Sequence, residues 1–323
     1  MDKSNVDKNN MDKKILKDLD KRLLEVVSNN DNIEKITTGA YNIRKDGEGI
    51  ERKITENVNI VSKEDVSGID IIVKENTKNE FVHIPVILTK GGLKDIVYND
   101  FYIGKNAQVT IIAGCGIHNE SHEHSEHNGI HRFYLEEGAN VKYIENHYGE
   151  GNGKGNKNLN PVTEVYMKEN SNMEMTTIQI KGVTLAERLT KAVLGENTNF
   201  VVTEKIMTSE DNFAKTIFEV ELNGENASTH VISRSVATED SKQEFISKVY
   251  GNTKCFAHVE CDAIIKDNAG VKAIPEITAN CVDANLIHEA AIGKIAGEQL
   301  IKLMTLGLTE KEAENEIING FLK

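Results

Sequence analysis

The sequence predicts a mainly β protein, a β-solenoid with an N-terminal helix before it and a C-terminal helical hairpin after it. Three observations carry this expectation. Apolar residues recur at helical spacing near both ends of the chain. Between about residues 40 and 280, short apolar or alternating runs rich in Val, Ile, Thr and Tyr are separated by Gly/Asn turns. Within that span one turn-and-strand unit recurs, as it does in stacked-coil architectures.

The first element is residues 12–28, KKILKDLDKRLLEVVSN. Leu16, Leu19, Leu23, Leu24 and Val27 fall on one helical face. The repeat follows, as GKNAQVTII (104–112), EGANVKYI (137–144), ENSNMEMT (169–176), ENTNFVVT (196–203), ENASTHVI (225–232) and GNTKCFAHV (251–259). Each unit has a Gly/Asn turn, a small residue and an alternating strand. The small residues are Ala107, Ala139, Ser171, Thr198, Ala227 and Thr253. The turn Asn suits a left-handed backbone position or a stacked side-chain ladder. An ordinary β-sandwich, whose turns also recur at short intervals, is the competing architecture. After residue 285 the pattern turns helical. Ile292, Ile295, Ala296, Leu300, Leu303 and Met304 form a stripe, and Gly307 ends it. In the next helix Thr309 and Glu312 form a capping box and Gly320 closes it. The hairpin reads as a cap on the solenoid end, as a partner dock, or as both. The expected division is 1–39 N-terminal helical segment, 40–285 β-helix core and 286–323 C-terminal helical segment.

A formal charge of −13 with no dense Lys/Arg block, no Trp and few aromatics argues against a nucleic-acid partner. The polar start MDKSNVDKNNMDKK has no apolar signal region, and no run reaches membrane-span length. Cys115, Cys255, Cys261 and Cys281 are sparse and lack a CxxC pair, which points to a reducing cytoplasm. GEGNGKGNKN (149–158) lacks phosphate-loop spacing. Neither HEAAI (288–292) nor SHEHSEH supplies the second histidine of HExxH.

In the repeat register, Val109 and Ile111, Val141 and Tyr143, Met173 and Met175, and Phe200 and Val202 share the inward parity. Extending it reaches Ala113 and Cys115 on one strand. On another it runs Cys255, Ala257, Val259, Cys261, Ala263 and Ile265. Gly114 and Gly116 could break the register at the first. Buried Cys is usually a small hydrophobe, but Cys115 and Cys261 lie near strand ends, where an inward residue can meet a rim or an interface. GCGIHNESHEHSEHNGIH (114–131) gathers five of the ten histidines; His118, His122, His124 and His127 read as a polar loop able to hold iron transiently.

VECDAII (259–265), IPEI (274–277), IHEAAIGKIAGEQL (287–300), LGLTEKEAE (306–314) and INGF (318–321), with GCGI (114–117), resemble the SufB/SufD family of SUF iron–sulfur cluster assembly scaffolds. The resemblance spans roughly residues 100–323. It implies a right-handed parallel β-helix. It also implies that Cys261, His288 and Glu289 hold a nascent, transient iron–sulfur cluster and that Cys115 accepts sulfur. The implied partners are a SufC-like ABC ATPase at the C-terminal helices, a sulfur donor such as a cysteine desulfurase, and a second copy of the chain. No nucleotide is expected on this chain itself, and no complete active site. Thiolates with weaker His or carboxylate ligands suit a cluster that must be handed on. The chain is shorter than the usual SufB, which favours a homodimer, and the 118–127 histidines exceed the family pattern. Competing readings are a metal-binding or storage solenoid using the histidine loop, and a sugar-active β-helix enzyme, for which no convincing carboxylate pair is found.

Overall fold

A computed structural model describes residues 18–28 and 38–323. It is a parallel β-helix of two facing sheets with ten strands each. Successive coils contribute one strand to each sheet. In the first sheet these include Gln108–His118, Asn140–Glu150, Asn172–Lys181, Asn199–Thr208, Ser228–Ala237, Phe256–Ile265 and Asn285–Gly293. In the second they include Lys94–Ile103, Ser125–Leu135, Leu185–Leu194, Phe213–Leu222, Lys242–Gly251 and Gly270–Ala279. These ladders are parallel; among the described residues antiparallel pairs occur only at the N-terminal end.

The turn chemistry dictates the coil. Asn76, Asn106, Asn170, Asn197 and Asn226 have φ of 53–59°, and Gly138 has φ 69°. Asn tolerates the left-handed region better than other side-chain-bearing residues, which is why it recurs there. The next residue is small and buried at Ala107, Ala139, Ser171, Thr198 and Ala227, and its carbonyl accepts the amide of the following coil. In the sixth coil the equivalent residue is Cys255, not Thr253: Asn285 N donates to Cys255 O as Phe256 N donates to Ala227 O. The turn shortens there, so an alignment on Gly/Asn alone slips. A side-chain ladder also forms, Asn280 to Asn252 and Asn252 to Asn223, each 2.7 Å.

The inward parity holds. Val109, Ile111, Val141, Tyr143, Met173, Met175, Phe200 and Val202 are all buried in one continuous core. Phe101 and Phe133 from the second sheet stack inside it, with ring centroids 4.3 Å apart. The N-terminal helix is described over Asp18–Val27; Leu16 lies outside the described residues. Its Leu23 and Leu24 lie on the outer face of the first sheet with Tyr41, Ile43 and Ile87, and Val27 lies over Gly114 and Gly116. Gly114 and Gly116 do not break the register, because the strand runs unbroken through both. They face the helix instead, and a Cβ at Gly114 would stand 2.5 Å from the Val27 carbonyl oxygen.

The C-terminus departs from expectation. Asn285–Gly293 is a strand paired with Phe256–Ile265, and the first helix begins only at Gly297. NLIHEAAIG satisfies both periodicities, as short apolar runs can, and the free edge of the preceding coil decides for strand. The helix Glu310–Phe321 carries the expected capping box but runs through Gly320 to Phe321. It does not cap the end of the solenoid. Its Ile318 and Phe321, with Leu322, lie with Met207, Val236 and Ile264 on the flank of the first sheet. The terminal coil remains uncovered. Among the described residues no helix is long and apolar enough to cross a membrane.

Candidate functional site

Two neighbouring inward columns of the first sheet carry polar residues through the core. One runs Glu145, Thr177, Glu204, Ser233 and Cys261 in register across successive strands. The other begins at Cys115 and continues through His147 and Gln179. All eight side chains are buried. Cys115 and Cys261 stand five strand steps apart, roughly 24 Å at the usual spacing of about 4.8 Å.

The second sheet supplies Arg188, His131 and Thr216 as partners, and the first sheet adds Tyr143 and Ser233. The Arg188 guanidinium donates to Glu145 and, from Nη2, meets His147 Nδ1 at 2.9 Å. Tyr143 Oη donates to Glu145 Oε1 at 3.1 Å and lies 2.6 Å from His131 Nδ1. Thr216 and Ser233 hydroxyls donate to the two oxygens of Glu204 at 2.7 Å. Such a network is stable only because nearly every member is paired. Burial opposes ionisation of Glu145, but His147 and Arg188 hold its carboxyl well below the ordinary range. Burial lowers His147 and takes His131 down to about 4.

Cys115 is 2% exposed and lines a cavity of about 10 Å³ with His127, His131, Glu145 and His147, room for no more than one water. Burial, with Asp95 and Glu145 adding, pushes its thiol well above the ordinary value. Cys261 is 1% exposed, and burial, then Glu204 and Asp262, pushes it up to about 12. Both are buried thiols that burial keeps neutral.

His288 and Glu289 part company, because adjacent strand residues face opposite ways. His288 pairs in register with Val259, on the inward side that Cys261 also faces. Its Nδ1 lies 3.3 Å from Ser247 Oγ, its Nε2 is buried without a partner, and burial lowers its pKa. Glu289 faces outward beside His258. The loop histidines are not gathered. His118 Nδ1 is 3.0 Å from Glu150, His124 Nδ1 accepts the Asn156 amide, and His122 is exposed. His127 is on the strand Ser125–Leu135, buried against Asp95.

Sequence reading missed Glu145, Thr177, Glu204, Ser233 and Arg188. The signal was present. The inward parity of Val141 and Tyr143 continues into Glu145 and His147, polar residues where apolar ones belong.

A family model described as the SUF system FeS cluster assembly, SufBD core domain, matches residues 97–321. An iron–sulfur cluster assembly SufBD family protein of Methanocaldococcus jannaschii is 26% identical, covering 78% of this chain and 79% of its own. One from Pyrococcus horikoshii is 29% identical, covering 82% and 81%. Against a relative from Methanothermobacter thermautotrophicus, 28% identical over 68% of this chain, only 53% of the relative is spanned. A family match over most of the chain, on a parallel β-helix, means that the protein belongs to the SufBD family of iron–sulfur cluster assembly proteins.

Proposed function

We propose that this chain is a cytoplasmic scaffold subunit on which a nascent iron–sulfur cluster forms at Cys261 and His288, with Cys115 as the sulfur acceptor. The observation that carries this reading is the buried polar stripe from Cys115 and His147 through Glu145, Thr177, Glu204 and Ser233 to Cys261. A core that served packing alone would not bury two carboxylates and an arginine there. Cys115 takes sulfane sulfur by exchange: its thiolate attacks the terminal sulfur of a donor persulfide, the donor thiolate leaves, and Cys115 carries the persulfide. The stripe is the path between the two cysteines. The unpartnered His288 Nε2 is the natural second donor to cluster iron. Glu289 joins only if the terminal strand turns.

Both cysteines are closed and neutral, so loading requires the coils to open. A SufC-like ABC ATPase bound at the C-terminal helices would drive that movement. In Gly297–Thr305 and just after it, Ile301, Met304 and Leu306 are exposed. A second copy of the chain would meet the open terminal coil, where Ile277, Val282, Ile287 and Ile292 are exposed. Two subunits would then share ligands that one cannot supply.

The test is anaerobic co-expression with a SufC-like ATPase. The complex should show iron–sulfur charge-transfer absorbance. Cys261→Ser should abolish it, while simultaneous His118→Ala, His122→Ala and His124→Ala should not. Retention in the cysteine variant and loss in the histidine variant would overturn the assignment.

A further inference from the structure

The outer face of the first sheet carries a second constellation that the cluster chemistry leaves unused. His230 and His258 are in register on the neighbouring strands Ser228–Ala237 and Phe256–Ile265. Both side chains point away from the core. Adjacent strands are about 4.8 Å apart, so the rings stack, with centroids 5.0 Å apart and planes 4° from parallel. Glu260 follows His258 by two residues and therefore shares its face. Its Oε1 lies 3.0 Å from His230 Nε2 and 3.6 Å from His258 Nδ1. Glu289 is in register with Glu260 on the next strand, and its Oε2 lies 3.6 Å from His258 Nε2.

One donor atom from each of His230, His258 and Glu260 lies within 4.8 Å of the other two. Ligands held about 2.1 Å from one ion stand roughly 3.0–3.4 Å from each other, so closing on an ion requires the stacked rings to turn out of parallel until their nitrogens converge beside Glu260. The His258 atom that faces Glu260 is Nδ1, while its Nε2 is turned toward Glu289.

We propose that His230, His258 and Glu260 bind a divalent first-row transition metal ion on this outer face. Two imidazoles with a carboxylate suit ions such as ferrous iron, zinc, manganese or cobalt. The absence of a thiolate from the set disfavours cuprous copper. Cys261 is adjacent to Glu260 in sequence but faces the opposite side of the sheet. The site therefore does not rest on the cluster-assembly reading, and the two fail separately.

The experiment uses the full chain stripped of metal, titrated anaerobically with Co²⁺ and followed by ligand-field absorbance, with melting temperature as a second readout. One Co²⁺ should bind per chain without thiolate charge-transfer absorbance, and should raise the melting temperature. His258→Gln and His230→Gln should each weaken binding by about tenfold or more, and both should remove the metal-induced rise while leaving the metal-free melting temperature near wild type. Cys261→Ser, and the His118, His122 and His124 alanine variant, should bind like wild type. Unchanged affinity in both Gln variants, or a thiolate band lost with Cys261→Ser, would overturn the proposal.

Discussion

His131 is enclosed by Asn99, Tyr143 and the edge of Phe101, and burial takes its pKa from 6.5 to about 4. His83 is lowered to about 4 by the same cause. The unfolded chain therefore binds protons below about pH 6.5 that the folded chain refuses. Stability from these groups is complete above that pH and falls as pH drops through about 4. For His131 the loss is on the order of 3 kcal/mol, at about 1.4 kcal/mol per pKa unit. Glu145 and Asp95, held low by charged partners, act in the same direction in stronger acid. Melting temperature should fall between pH 7 and pH 4. His131→Gln should be less stable at neutral pH but show a flatter decline over that range. An unchanged slope would remove His131 as a cause. None of this burial was legible from residue type, since the same chain has histidine on its exposed turn at His122.

At the level of elements, the N-terminal helix shows how far periodicity reaches. Leu23, Leu24 and Val27 are on its buried face, as their spacing predicts. Where the helix docks is a different question, answered by Gly114, Gly116 and the bond from Asn146 Nδ2 to the Val27 carbonyl at 3.0 Å. Gly114→Ala would place its Cβ against the Val27 carbonyl oxygen at 2.5 Å and the Asn146 carbonyl oxygen at 2.7 Å. It should cost about 1–3 kcal/mol by overpacking, read as a lower melting temperature. Faster amide exchange over Asp18–Val27 should accompany it. The two glycines look like strand breakers in sequence because the partner that requires them is nearly ninety residues away. For the same reason the strand Asn285–Gly293 reads as helix until the edge it pairs with is known.

The whole molecule behaves as a stack, each coil stabilised by its neighbours. The interior coils are covered on both sides. The last coil is not: Val282 is 97% exposed and strands Gly270–Ala279 and Asn285–Gly293 end their sheets. Local opening should therefore start there. In dilute solution, amides of Gly270–Ala279 should exchange before those of Phe213–Leu222. Uniform protection along the stack in a monomer would show that the terminal coil is as stable as the rest. Raising the concentration should slow exchange at the terminal coil if a second copy covers it.

The sequence by itself determined the solenoid, the Asn turn positions, the inward parity of Cys115 and Cys261, and the capping box of the last helix. Each follows from local chemistry: alternation along a strand, tolerance of positive φ, and a short-range hydrogen bond. Only the tertiary structure decided that buried Glu145 and Glu204 share an inward column with Cys261 beside the column of Cys115, that His288 and Glu289 face opposite sides, and that His230, His258 and Glu260 meet. Those pairings depend on the register between coils some thirty residues apart. Coil lengths vary, so that register is set by backbone hydrogen bonds between neighbouring strands and cannot be counted along the chain.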